Sequence, residues 1–256
     1  MIVFAFANQK GGVGKTTSAV TLADGLARLN HRTLLVDLDP QGHLALSFGL
    51  EKSPGLYRLV CLDEPLGEVV QNVRHNLDLV PGDKQTEKVK RQITLSDFRE
   101  TILRDLLTGS PYDVVLLDMA PSLDVLHING LIAADWVVIP TRLDALAVDG
   151  VKEILTTMAE INRSGHSYRG YSILPTFFDR TTRETLIQFE EITRVFGANV
   201  WPPVPQDTRV RETAAYGQTL WEYSPDSSSV EGFVEGRQHL GGYRQVLGKM
   251  LEVING

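Results

Sequence analysis

The segment Asn8-Gln9-Lys10-Gly11-Gly12-Val13-Gly14-Lys15-Thr16-Thr17 directly follows the apolar run Ile2–Ala7. Glycines 11, 12 and 14 let the backbone take positive φ and turn consecutive N–H groups towards an anion. A helix starting near Lys15 adds free amides and a positive dipole end at the same spot. In that setting Lys15 is placed to neutralise the β- and γ-phosphates of a nucleotide, and the Thr16 hydroxyl to ligate Mg²⁺. The strict phosphate-loop pattern requires glycine where this chain has Gln9. A glycine-rich turn with two solvated lysines is the competing reading. The order of strand, loop, Lys-Thr and amphipathic helix weighs against it.

Carboxylates stand at two further strand ends. Leu34-Leu35-Val36-Asp37-Leu38-Asp39-Pro40-Gln41-Gly42 places acids at i and i+2, on one face by the two-residue period of a strand. Pro40 holds Asp39 extended and stops the strand. Because ligands of open α/β sheets bind beyond the carboxyl ends of the strands, both acids point towards the glycine loop if this strand neighbours the first. Two solvated turn acids are the blander alternative. Asp118 follows the apolar run Val114–Leu117 and fits a carboxylate holding a Mg²⁺-bound water. Ser122 is expected to cap the helix after it.

Lys10-Gly11-Gly12-Val13-Gly14-Lys15-Thr16 resembles the deviant Walker A loop of the ParA/MinD family of ATPases. In that family the early lysine reaches across a dimer interface to the partner's nucleotide. The resemblance therefore implies an ATP-sandwich homodimer in which Lys10, Lys15 and Asp39 carry the catalysis. The stretch around Asp37 and Asp39 is similar to the family's switch I. By that match Asp39 orients or deprotonates the attacking water, and Asp37 supports the Mg²⁺ shell beside Thr16 and Asp118. The implied nucleotide contacts are Lys10, Gly11, Gly12, Val13, Gly14, Lys15, Thr16 and Thr17. Ile173–Thr181 resembles the segment lining the adenine pocket, where Thr176 or Phe177 would touch the base and Pro205, within Val204–Asp207, would close the other side. An aromatic at a strand end reads equally as core. Two departures stand out: Met119-Ala120-Pro121-Ser122 carries one proline where the family usually has two, and Arg142 and Asp144 replace the usual Gln and Glu.

Short apolar runs must position these residues. Ile2–Ala7, Thr33–Leu38, Leu77–Val80, Asp113–Leu117, Trp136–Ile139 and Tyr171–Phe178 are near-continuous, as strands buried on both faces are. Amphipathic stretches separate them: Thr16–Leu29, Asp97–Leu107 (Phe98, Ile102 and Leu106 on its stripe), Val148–Ile161 and Arg183–Phe196. This alternation predicts an α/β doubly wound, mostly parallel sheet with helices on both faces, in one domain over residues 1–256. Ser224–Ser229 reads as a surface loop.

The 256 residues are 43% hydrophobic and 22% charged, which excludes a disordered, collagenous or coiled-coil chain. With 25 basic and 32 acidic residues the net charge is −7, so an anionic partner needs a local patch. The single Cys61 excludes an intramolecular disulfide or thiolate metal cage, and also the two-cysteine cluster of a nitrogenase-type reductase. The switch I match argues against a biotin-pathway ligase on the same scaffold. No helix-turn-helix is expected before Ile2, so the chain looks like a short-form ParA, cytoplasmic and nucleoid-associated. Such proteins bind DNA without sequence preference and are stimulated by a ParB-like adaptor. Candidate phosphate contacts are Arg209, Arg211, Arg237, Arg244 and Lys249, with a second cluster at Lys84, Lys88, Lys90 and Arg91. From Pro205 onward, however, five basic residues face seven acidic ones. A MinD-like membrane ATPase would need a richer basic face on the last helix, whose stripe Tyr243, Val246, Leu247, Met250, Leu251 and Ile254 reads better as packing against the sheet. Plasmid, chromosome, protein organelle and chemoreceptor cluster all remain open as the cargo.

Overall fold

Residues 1–235 and 238–256 are described by the computed structural model. β1 (Ile2–Phe6) runs through the glycine loop into α1 (Lys15–Arg28) and returns as β2 (Thr33–Asp37). Three short helices follow: α2 (His43–Ser47), α3 (Gly55–Cys61) and α4 (Leu66–Val69). The strands β3 (Gln71–Arg74) and β4 (Leu77–Val80) lead to α5 (Thr86–Leu95) and α6 (Ile102–Leu107). Strand and helix then alternate through β5 (Val114–Asp118), α7 (Val125–Ala133), β6 (Trp136–Arg142), α8 (Ala147–Arg163), β7 (Gly170–Thr176) and α9 (Arg183–Phe196). The C-terminal part holds α10 (Arg209–Tyr216), α11 (Leu220–Tyr223), α12 (Ser228–Glu231), a β8 (Phe233–Glu235)/β9 (Gln238–Leu240) hairpin and α13 (Gly242–Asn255).

The main sheet has the order β3-β4-β2-β5-β1-β6-β7. All pairs are parallel except the edge pair β3–β4. β1, β2 and β5 are buried along their whole length, which explains their unbroken apolar runs. Successive side chains point to opposite faces, so Ile2, Phe4 and Phe6 join a core with α1, α2, α11 and α13, while Val3 and Ala5 join one with α3 and α5 to α9. Burying Phe4 or Phe6 completely contributes about 1.5–3 kcal/mol each. The doubly wound, mostly parallel sheet is as the alternation predicts.

Several local expectations are corrected. β2 does not neighbour β1, because β5 lies between them and carries Asp118 in register with Asp37. The acids of β2 are therefore one strand further from the loop than assumed. The helix expected from Asp97 begins only at Ile102, and Phe98 is 85% exposed in a left-handed backbone conformation. Asp124, not Ser122, caps α7: its carboxylate accepts from the Leu126 and His127 amides, each at 3.0 Å, and the Ser122 hydroxyl merely donates to it. Ser224–Ser229 is not wholly a surface loop, since Ser227 and Ser229 are fully buried at the start of α12.

Candidate nucleotide site

The loop after β1 is shaped by its own backbone. Gly12 and Gly14 adopt φ of 70° and 89°, a conformation open to glycine at little cost, and Gly14 is the N-cap of α1. No side chain caps that helix, so its first amides face the loop. Asn8 clamps the entry: its side-chain amide donates to the Pro140 carbonyl and its Oδ1 accepts from the Lys10 amide. Lys15, 7% exposed, donates from Nζ to the carbonyls of Asn8 and Lys10, both at 3.0 Å. Burial pulls its ammonium below the usual lysine range, while Asp118 and Asp39 pull the other way. Val13 is buried, and its carbonyl accepts from the Thr176 hydroxyl at 2.9 Å.

Two carboxylates, Asp118 at the end of β5 and Asp39 just beyond β2, act on Lys15 of this loop, and a third, Asp37, lies beside Asp118. Asp118 is buried and hydrogen-bonded by Thr16; burial pushes its carboxyl up to about 7, against the pull of Thr16 and Lys15. Asp37 is also fully buried, and burial followed by repulsion from Asp118 raises it well above the carboxylate range. Its oxygens accept from the amides of Asp39 at 3.0 Å and Leu44 at 3.1 Å, so it ties down the loop between β2 and α2. Gly42 in that loop has φ 61°, and a Cβ there would stand 2.4 Å from the Gly82 carbonyl oxygen. Only glycine fits. Asp39 is partly exposed and lines a cavity of about 410 Å³ with Gly11, Gly12, Gly14, Lys15, Thr16 and Thr17. His43 and Pro121 line it too, and the sequence reading assigned neither to the site.

A neighbouring cavity of about 510 Å³ begins at Gly12, Gly14 and Thr17 and extends between Thr176–Phe177 and Val204–Thr208. Pro205 is buried and bridged to Phe178, closing the far wall. Phe177 lines both cavities. α10 covers the opening with Val210, Arg211 and Ala214; it was missed because none of its residues is buried and no periodicity marks it.

The remaining basic residues are mostly engaged within the chain. Lys10 forms an ion pair with Asp144. Arg209 pairs with Asp207 at 3.1 Å, Lys249 with Glu252 at 2.7 Å, and Arg244 with Glu231 while lying over Trp221. Arg211 lines the larger cavity. In the second cluster, Lys90 pairs with Glu87 and Asp124, and Lys88 lies over Tyr57. Arg237 lies outside the described residues.

The fold is of the phosphate-loop NTPase type, and a family model described as an AAA domain matches residues 1–168. The chromosome-partitioning ATPase Soj of Thermus thermophilus is 37% identical over 235 residues, covering 90% of this chain and 91% of that protein. The chromosome partitioning protein ParA of Caulobacter vibrioides is 30% identical, covering 91% of each chain. The chain belongs to the ParA/Soj family of partition ATPases. A solved structure of cobyrinic acid a,c-diamide synthase from Mycobacterium smegmatis, with a bound ATP analogue and magnesium, is similar with a TM-score of 0.75 and 28% identity over 85% of this chain and 93% of that one.

Proposed function

We propose that this chain is an ATPase that positions a cargo, a plasmid or chromosome region, over the nucleoid, acting as one domain over residues 1–256. ATP would be held between two copies, the dimer would bind DNA without sequence preference, and hydrolysis stimulated by a ParB-like adaptor would release it. The observation that carries this reading is the convergence of Lys15, Thr16, Asp39 and Asp118 on one loop at the carboxyl edge of the sheet.

The chemistry follows from what each group offers. Loop amides and Lys15 stabilise charge developing on the β- and γ-phosphates; Lys15 would exchange its carbonyl partners for phosphate oxygens. The Thr16 hydroxyl and the buried Asp118 carboxylate are hard oxygen donors, and a buried acid with a raised pKa is relieved by a nearby cation. They would hold Mg²⁺, with Asp37 behind them, and Mg²⁺ when bound would neutralise phosphate charge. Asp39 is the acid open to solvent at the cavity and would orient the attacking water. Lys10 would leave Asp144 to reach the partner's nucleotide. Thr176, Phe177 and Pro205 would enclose the adenine.

DNA contact needs several cations on phosphates. Arg209, Arg244 and Lys249 would have to release their carboxylates or act beside them. A membrane-docking role finds less support: Tyr243, Val246, Leu247 and Met250 of α13 are buried against the sheet, and no helix among the described residues is long and apolar enough to cross a membrane.

Asp39→Ala tests the assignment. With MgATP the variant should lose at least about tenfold in hydrolysis, a loss of 1.4 kcal/mol in transition-state stabilisation, and accumulate as a dimer by light scattering. Hydrolysis at the wild-type rate would remove Asp39 from the mechanism.

A further inference from the structure

Arg142 ends β6 at the carboxyl edge of the sheet, in register with Thr176 of β7. Its guanidinium lies over the Phe177 ring, 5.2 Å from the centroid. Phe177 itself holds φ 53°, a region that bulky residues rarely enter. Phe177 lines both cavities, and Arg142 lines the larger one together with Gly14, Thr17 and Val204. Lys10 is paired with Asp144 and Lys15 with two carbonyls, but the Arg142 guanidinium makes no ion pair or hydrogen bond among the described residues. A guanidinium held over a ring face keeps N–H groups available to donate, and its fork matches phosphate oxygens bidentately.

The geometry points to Arg142 as a nucleotide-binding residue that donates to the phosphate oxygens next to the ribose, where the phosphate cradle opens into the base pocket. The inference rests on the reading of these cavities as the nucleotide site. It adds a cation to Lys10 and Lys15 at the phosphates, at a position where the ParA/MinD resemblance leads one to expect glutamine. Phe177 then serves two ends, as a wall of the base pocket and as the platform that aims Arg142.

Calorimetric titration of the wild-type chain and Arg142→Gln with MgADP and with adenosine tests it. Loss of a charge-assisted contact should weaken MgADP by about tenfold, with adenosine affinity unchanged within twofold. The proposal is overturned if the variant binds MgADP within twofold of wild type, or if adenosine weakens as much as MgADP, which would make Arg142 a base-stacking residue. A wild-type chain that fails to bind MgADP would instead overturn the nucleotide site itself. Arg142 is exposed, so the fold does not depend on it.

Discussion

His127 is a buried base within electrostatic reach of Lys15. It sits on α7, 3% exposed, with the Ala120 backbone beside its ring but no hydrogen bond of good geometry to either nitrogen. Burial drives its pKa from 6.5 down to about 4, so the folded chain holds it neutral. A base whose folded pKa is lowered binds fewer protons folded than unfolded. Its stabilising effect is complete above pH 6.5 and is lost as the pH falls towards 4. His127→Leu should therefore keep more of its stability between pH 6.5 and 4 than the wild type does, by up to about 3 kcal/mol, as urea unfolding at each pH would show. Parallel pH profiles for the two proteins would mean that His127 finds a partner after all. The chemistry of single residues was legible where it was consecutive: Lys15, Thr16 and Asp118 announce themselves by their neighbours in sequence. Arg142 and His43 were not legible as site residues, because only the sheet order brings the ends of β6 and the start of α2 to the glycine loop.

At the scale of elements, the strands were easiest to read. A strand buried on both faces has to be apolar nearly throughout, and β1, β2 and β5 are placed to within a residue or two. Helix stripes were less informative. Ile192 of α9 is buried as expected, whereas Leu186 on the same stripe is 44% exposed, because the neighbouring layer covers only part of the helix. Caps were harder still: Ser122 and Asp124 both have capping chemistry, and only the entry path of the chain chooses between them. Asp124 also holds Lys90 at 2.9 Å, tying α7 to α5. Asp124→Ala should cost about 1–2 kcal/mol and lower the melting temperature by a few degrees, measured by calorimetry. An unchanged midpoint would show that Ser122 takes over the cap.

At the scale of the whole molecule, the sheet gathers the ends of β1, β2, β5, β6 and β7 into one edge, and every candidate nucleotide contact lies there or on the segments that follow. The proposed assembly and DNA contact belong to this scale too. Lys10→Ala should bind MgATP yet stay monomeric by light scattering, and should lose retention on non-specific DNA at the same time. A monomeric variant that still bound DNA as tightly would separate the DNA surface from assembly.

The Lys10–Asp144 pair would give the proposed assembly a particular character. A lysine already satisfied at home gains from crossing to a neighbour only the difference between two attractions, not the whole of one. If two copies join as proposed, their union would be an exchange of partners with a shallow net drop, easily tipped either way by what occupies the cradle. A switch that must open on every cycle is better served by that shallow slope than by a deep well.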